Sequence, residues 1–189
     1  MNPHFDEPAA TDLAAELLML AGGKMSYLKL LKLMNLVDRQ SLIESGISVT
    51  QDTPYSMPRG PVLTRVYNLI KEQQPGEAPS PRTKSFWKRH LFRVGAYEIK
   101  VKEPLKARHT SQAQRDIIKK VFRRYGALTG FALIRVTHKL PEWEDPKSSS
   151  VRIETAAILK GAGKTKKQIA TIIENIEHVR EFRRLFAAK

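Results

Sequence analysis

The sequence predicts a mainly α-helical fold, with about six to seven helices in one compact domain and one small antiparallel β-hairpin. Apolar residues recur at three- and four-residue spacing through most of the chain, and residues that favour helix ends flank these segments. One stretch alternates apolar and polar residues in the manner of paired strands. With 189 residues, 41% of them apolar, the chain is long enough for one core and short for two domains.

Two helices are predicted in the first quarter of the chain. Thr11 caps the first, which Gly22 ends, and Ser26 caps a second, stronger helix, which Gly46 ends. The shared apolar faces are formed by Leu13, Leu17 and Leu20 in the first helix and by Leu30, Leu33, Met34 and Val37 in the second, followed there by Leu42. We expect the second helix to be central to the core.

A proline-rich segment, residues 47–61, has no helical period and is predicted to be extended and turning. Pro61 is predicted to take the first position of a third helix, where its fixed φ is suitable and its missing N–H is not needed. The apolar stripe of that helix consists of Val62, Val66, Leu69 and Ile70. Residues 74–85 contain three prolines and are predicted to form a mobile surface loop.

The predicted hairpin covers residues 91–104 and turns at Gly95. Because side chains alternate along a strand, Tyr97, Ile99 and Val101 are expected on one side and the charged residues on the other. This is the one convincing sheet signal in the sequence.

Four more helices are predicted in the second half. Ser111 with Gln114 forms a capping box for a helix that ends at Gly126, and the next helix begins at about Thr129. The buried side chains are expected to be Ile117, Ile118, Val121 and Phe122 in the first of these helices and Leu133, Ile134 and Val136 in the second. Two final helices are predicted over roughly 151–161 and 165–187, the last capped by Thr165.

Charge is unevenly distributed along the chain. The formal net charge is +14, from 33 Lys and Arg against 19 Asp and Glu. Residues 1–22 hold four acids and no base, whereas residues 82–124, here named the basic belt, hold fourteen Lys or Arg against three acids. A partner with an anionic surface is therefore expected.

The location of the protein is predicted from what the sequence lacks. There is no cysteine, which excludes disulfides and thiolate chemistry and suits a reducing compartment. The chain starts with acids instead of the basic start of a secretory signal, and no stretch approaches the roughly 18 apolar residues of a membrane span. A cytoplasmic location and no membrane association are expected.

Catalysis, cofactor binding and metal binding are not expected. GAGKT at 161–165 ends like a phosphate-binding loop, but Ile158 stands where that loop needs glycine, so an ordinary helix connection is predicted. The five histidines lack the spacing of metal ligands. The nearest acid–base set is His138 with Glu142 or Glu144, and a structural histidine beside Trp143 is the favoured interpretation.

The basic belt leaves two function classes open. Its charges lie among Phe86, Trp87, Phe92 and Tyr97, so it could pair with phosphates and stack on bases, as a nucleic-acid-binding regulator would require. The same charges could instead form a solvated face that meets an acidic protein. For a protein partner, the candidate contact residues are Arg115, Lys119, Arg123 and Arg124.

Four segments in a fixed order carry a family resemblance. They are SYLKLLKLMNLVDRQSLIESG, YSMPRGPVLTRVY, the helix after Ser111 ending in RRYG, and LIRVTHKLPEW. Together they resemble the Panacea domain, also called the SocA-like antitoxin domain, over about residues 24–146. The most specific features are Gly60-Pro61-Val62, and His138 shortly before Trp143. Three departures mark a divergent member: Met34-Asn35-Leu36 after the KLL segment, YSMPR before the GPV, and Glu142 between Pro141 and Trp143.

The resemblance implies a mostly helical antitoxin of a bacterial or phage toxin–antitoxin pair, which neutralises a cognate toxin by direct protein contact. It also implies an alternative, an adaptor that delivers a toxin to a protease. No catalytic residue is carried over, and Gly60, Pro61, Val62, His138 and Trp143 are expected to be scaffold residues. The expected organisation is an N-terminal helical extension at 1–23, the Panacea-like domain at 24–146, and C-terminal helices at 147–189. The oligomeric state is left open.

Overall fold

A computed structural model describes residues 5–76 and 82–187, and the mainly α-helical prediction is confirmed. The helices are α1 (Glu7–Leu20), α2 (Tyr27–Ser45), α3 (Thr64–Lys71), α4 (Phe86–His90), α5 (Gln112–Tyr125), α6 (Gly130–Thr137), α7 (Thr155–Gly161) and α8 (Lys166–Ala187). The strands are β1 (Lys24–Ser26), β2 (Pro54–Ser56), β3 (Val62–Leu63), β4 (Leu91–Val94), β5 (Glu98–Val101) and β6 (Val151–Arg152). The described residues thus hold eight helices, and the prediction of a single hairpin was wrong.

The central helix is α2, as predicted, and α1, α3, α5, α6 and α7 pack against it. Ser26 caps it, since its hydroxyl oxygen accepts a hydrogen bond from the Lys29 N–H at 3.3 Å. Gly46 ends it in the left-handed conformation, with φ of +78°. The main core therefore forms around the buried residues of one well-capped helix.

Helix α1 begins earlier than predicted. Its cap is Asp6, whose carboxylate accepts from the Ala9 N–H at 3.0 Å, and Pro8 lies in its first turn. The Thr11 hydroxyl instead donates to the Glu7 carbonyl inside the helix, at 2.8 Å. Most of the helix is buried, so the predicted N-terminal extension contributes directly to the main core.

The predicted hairpin is confirmed as β4 and β5, and β1 adds a third antiparallel strand. Ile99 and Val101 face the core as expected, but Tyr97 is 72% exposed because it lies at the turn, beyond the core. Sequence pattern missed β1 because three residues are too few to show alternation.

A second sheet, ordered β3-β2-β6, was not predicted, because its strands have only two or three residues and β6 is far in sequence from β2, with which it pairs. Pro61 does not begin a helix, since Val62 and Leu63 form β3 and α3 begins at Thr64. The reason is tertiary: the Asp52 carboxylate accepts from the Arg65 and Val66 N–H groups at 2.8 and 3.1 Å. The start of α3 is thus set by a side chain from the preceding loop.

Most helix ends in the second half agree with the sequence, but the helix predicted from about residue 151 begins only at Thr155, because Val151 and Arg152 form β6. Ser111 and Gln114 form the predicted capping box, and Thr129 caps α6. Thr165 caps α8 by accepting from the Gln168 N–H at 3.3 Å. A second apolar cluster joins α7 and α8 to the end of α2, and it contains Leu42, Ile153, Ile158 and Leu159.

The structure describes only part of the predicted loop at 74–85, and an unpredicted short helix, α4, follows it. Residues 77–81 lie outside the described residues. Helix α4 follows directly, capped by Ser85, whose hydroxyl accepts from the Lys88 N–H at 3.2 Å. Five residues are too few to establish a helical period, which is why the sequence did not indicate α4.

Candidate functional site

The Gly60-Pro61 turn packs against α2 and α6 so closely that only glycine fits. Gly60 has φ of +83°, and a Cβ atom there would lie 2.6 Å from Thr137 Oγ1 and 3.3 Å from Lys32 Nζ. Both the backbone conformation and the contact with Thr137 therefore require the absence of a side chain. Val62 follows as the first residue of β3.

His138 and Trp143 lie beside this turn. Their rings stack in parallel, with centroids 3.9 Å apart and an angle of 12° between planes. Trp143 Nε1 donates to the Met57 carbonyl at 3.3 Å, which ties the segment after α6 to the loop that carries Gly60. Two segments that are distant in sequence thus meet at one junction of the fold, the Gly60-Pro61 turn and the His138–Trp143 stack.

Lys32 on α2 is fully buried at this junction. Its Nζ donates to the Pro61 carbonyl at 2.8 Å, and it forms no ion pair within the described ranges. Because burial removes water from the ammonium group, the pKa of Lys32 is lowered to about 7. The hydrogen bond fixes the Pro61 turn on α2 whichever protonation state the amine adopts.

Two buried carboxylates tie α2 to α3 on the other side of the same loop. Asp38 accepts from the Thr50 N–H at 3.0 Å and also bonds the Thr50 hydroxyl, whose oxygen accepts from the Asp52 N–H at 3.0 Å. Burial raises the pKa of Asp38 to about 7 and that of Asp52 to about 6. These groups hold backbone amides, which gives them a structural use.

A cleft of about 80 Å³ opens between this region and the C-terminal helices. One wall comes from α2 and the 47–63 segment, and the other from residues 152–158 and α8. At its edge Arg39 pairs with Glu142, with Nε to Oε1 at 2.6 Å. The charged groups that line it are Asp38, Arg39, Asp52, Glu142, Arg152 and Arg180. Asp38 and Asp52 are already bonded to backbone amides and Arg39 to Glu142, so few of its charges are left for a ligand.

The acid–base set considered from sequence does not assemble around His138. Both Glu142 oxygens bond Arg39, and among the described residues the buried His138 Nε2 has no hydrogen-bond partner, so neither Glu142 nor Glu144 bonds that nitrogen. His138 is occupied by stacking on Trp143. Glu142, which departs from the family pattern, is therefore held in an ion pair with Arg39.

The four candidate contact residues occupy different parts of α5. Arg115 donates to the Thr110 carbonyl at 2.6 Å and to Gln112 Oε1 at 2.8 Å, so it serves the local structure. Arg115 and Lys119 lie near Glu16 of α1, where burial raises the pKa of Glu16 while both cations oppose the rise. Lys119, Arg123 and Arg124 are exposed.

Two further exposed residues lie just beyond α5 and were missed from sequence. Phe131, in the first turn of α6, is 70% exposed, and Arg135 follows one turn later and is also exposed. A signal was present for Arg135 alone: residues 117–141 contain six Lys or Arg and no acid. The apolar period placed Leu133 in the core correctly but carried no information about Phe131.

Two of the four aromatic residues of the basic belt, Phe86 and Trp87, are held by packing contacts. Trp87 is fully buried, and the Phe86 ring contacts His90 and His109 with centroids 4.7 and 5.1 Å away. The Tyr97 ring stacks on Tyr27 with centroids 6.5 Å apart, but it remains 72% exposed. The belt thus offers fewer rings for base stacking than the sequence suggested.

The described residues contain neither a helix that could cross a membrane nor a cluster of metal ligands. None of their helices combines the length and apolar character that crossing a bilayer requires. Across residues 5–76 and 82–187 no three His, Asp or Glu side chains are grouped so that they could hold a metal ion.

Comparison with known proteins identifies the family. The family model described as "Antitoxin SocA-like, Panacea domain" matches residues 30–144, which is more than half of the chain. No curated protein and no solved structure matches the chain. The matched range runs from α2 to the Glu142 and Trp143 segment and includes the whole Gly60 junction. The chain therefore belongs to the SocA-like antitoxin family, defined by the Panacea domain.

Proposed function

We propose that this protein is a cytoplasmic antitoxin that neutralises a protein toxin by direct contact, without catalysing a reaction. The observation that carries the proposal is the family match over residues 30–144, because that range forms the body of the folded chain. The cognate toxin is expected to be encoded next to this gene, as the two members of such a pair must be produced together.

The charge distribution supports a protein partner with an acidic surface. Lys119, Arg123 and Arg124 are exposed on α5, and the chain carries a net charge of +14. Complementary charge accelerates encounter and selects among partners, while buried apolar side chains supply most of the affinity. The cation-rich surface of α5 is suited to accelerating the encounter with an acidic partner.

Co-expression tests the proposal. Each gene adjacent to this one is expressed alone from an inducible promoter, and growth is recorded with and without this protein. One neighbour is expected to arrest growth, and co-expression is expected to restore it. If neither neighbour arrests growth, or if this protein fails to restore it, the antitoxin proposal is wrong.

The same strains separate neutralisation from delivery to a protease. Neutralisation predicts a stable complex and an unchanged or higher toxin level, measured by immunoblot after translation is stopped. A toxin half-life that shortens when this protein is present, and recovers in a protease-deficient host, would instead indicate an adaptor.

A further inference from the structure

We infer that the toxin docks on the α5–α6 corner, a surface defined by Arg123, Arg124, Phe131 and Arg135, and that the toxin presents there an apolar pocket within an acidic rim. This inference rests on the proposed function and names the surface that performs it. The corner lies where α5 ends at Tyr125 and α6 begins at Gly130.

The connection between the two helices is held firmly on α2. Lys29 Nζ donates to the Gly126 carbonyl at 2.6 Å, which satisfies a carbonyl near the end of α5. Gly130 packs so closely on α2 that a Cβ atom there would lie 3.2 Å from the Leu28 side chain. Thr129 caps α6 by accepting from the Ala132 N–H at 3.2 Å. The corner is therefore an ordered surface that needs little rearrangement to bind.

Phe131 is the apolar feature of this surface. At 70% exposed it stands out among the large apolar side chains of the described residues, where only Tyr97 is more exposed. Its phenyl ring lies one helical turn before Arg135, so the two side chains are neighbours on α6. An aromatic ring beside an arginine is the composition that is enriched at the centres of protein interfaces.

The sequence around Phe131 is positively charged, and most of that charge is unpaired among the described residues. Residues 117–141 contain six Lys or Arg and no acid. Within residues 5–76 and 82–187, Lys120 pairs with Glu44, whereas Arg123 and Arg135 form no ion pair. The four-residue turn keeps Tyr125 and Gly130 within about 18 Å of each other, so the end of α5 that carries Arg123 and Arg124 lies near the start of α6 that carries Phe131.

This charge favours an acidic partner over a second copy of the chain. Two copies that met through this corner would bring two cationic surfaces together, each on a molecule of net charge +14. An acidic rim on the partner would instead pair with guanidinium groups that have no carboxylate partner here. A single exposed ring suits an apolar pocket on a protein better than a strand of stacked bases.

The test uses the full chain and the adjacent gene product that arrests growth. The variant is Phe131→Ala with Arg135→Glu, and the matched control is Tyr97→Ala with Lys100→Glu. The control removes an equally exposed aromatic ring and changes the net charge equally, but on the β4–β5 hairpin. Circular dichroism and thermal unfolding of both variants establish that the fold is retained.

The α6 variant is expected to raise the Kd for the toxin by about 30-fold or more and to lose growth rescue, while the hairpin control binds as the unmodified chain does. Equal losses in both variants, or no loss in the α6 variant, would overturn the inference. Hydrogen exchange of the unmodified complex gives a second measurement, independent of any substitution. Protection confined to residues 123–136 supports the inference, and protection only elsewhere contradicts it.

The outcomes separate this inference from the proposed function. If the unmodified chain rescues growth and the α6 variant binds the toxin equally well, the antitoxin proposal stands and the inference about the α5–α6 corner is wrong. A failure of the unmodified chain to rescue overturns the proposed function and the inference with it. Retention of a labelled oligothymidine by the unmodified chain, lost in the α6 variant, would reassign the corner to nucleic acid.

Discussion

Arg39 on α2 donates two hydrogen bonds to Glu142, from Nε at 2.6 Å and from Nη2 at 3.2 Å. The side chain of Glu142 is 3% exposed and that of Arg39 is 17% exposed. The pair joins the central helix to the segment between α6 and β6, and Gly161 at the end of α7 packs against the same glutamate. It therefore lies where the matched family range meets the C-terminal helices.

Removing the charge of Glu142 should destabilise the fold. Glu142→Gln leaves the Arg39 guanidinium largely buried without its anion, which costs about 3 kcal/mol in the free energy of unfolding. Urea denaturation measures this change. The exposed Lys88–Glu72 pair is the control, since Glu72→Gln should cost less than about 1 kcal/mol. Similar costs for the two substitutions would show that the Arg39–Glu142 pair is not special.

Gly60→Ala should be among the most damaging glycine substitutions. The new methyl group would meet Thr137 Oγ1 at 2.6 Å in addition to the left-handed backbone strain. Gly163→Ala is the control, because φ there is +81° and no atom lies within 4 Å of the added Cβ. We expect a loss of about 1–2 kcal/mol for the control and at least twice that for Gly60→Ala. Equal losses would mean that the α6 contact relaxes without cost.

Stability should rise with pH between about 7 and 10.5 because of Lys32. Burial lowers the pKa of Lys32 to about 7, so in this window the unfolded chain binds more protons than the folded chain. Lys32→Met should remove this slope, with a difference on the order of 4 kcal/mol between the two ends of the window. Chemical denaturation across the pH series measures it. Lys119→Met, at an exposed position of α5, should keep the slope.

Asp38 should give the opposite slope at lower pH. Burial raises the pKa of Asp38 to about 7 from 3.8, so the folded chain binds more protons between these values. Its contribution is present at low pH and is lost as the pH rises through about 7. Asp38→Asn should flatten this part of the profile. An unchanged slope between pH 4 and 7 would show that Asp38 stays ionised in the folded protein.

Reversing the charges of Arg123 and Arg124 should slow toxin association. Arg123→Glu with Arg124→Glu is expected to lower the association rate constant by about tenfold at low salt, with a smaller effect at high salt. Stopped-flow mixing across a salt series measures it. The dissociation rate should change less, because exposed charges at a rim act mainly on encounter. If the variant associates with the toxin as fast as the unmodified chain does at every salt concentration, neither arginine lies in the interface.

Local patterns predicted the helices whose signals are short-range. Ser26, Ser111 and Thr165 cap the helices that they were expected to cap, α6 begins next to Thr129 as expected, and Gly46 ends α2 in the left-handed conformation. These successes share a cause, since a cap and the amide that it satisfies are two or three residues apart. The start of α3 was wrong because its amides bond Asp52, which is more than ten residues away.

At the candidate site, too, short-range features could be predicted from the sequence and long-range contacts could not. The Gly60-Pro61 and His138–Trp143 signatures could be named from sequence, but not their meeting around a buried Lys32. The charge of α5 was evident, whereas the separation of Arg115, which bonds its own helix start, from the exposed Arg123 was not. Phe131 carried no signal, because a ring on the outer edge of a helix and a ring in the core look alike in a short apolar run.

The sequence by itself determined the helical class, most helix ends, the family and the strong positive charge, because each depends on composition or on residues close together in the chain. Only the tertiary structure decided the addition of β1 to the predicted hairpin, the second sheet, the burial of Lys32 and Asp38, the Arg39–Glu142 pair and the exposure of Phe131. All of these depend on which distant segments come into contact. Burial and long-range pairing are properties of the packed chain, and no local pattern encodes them.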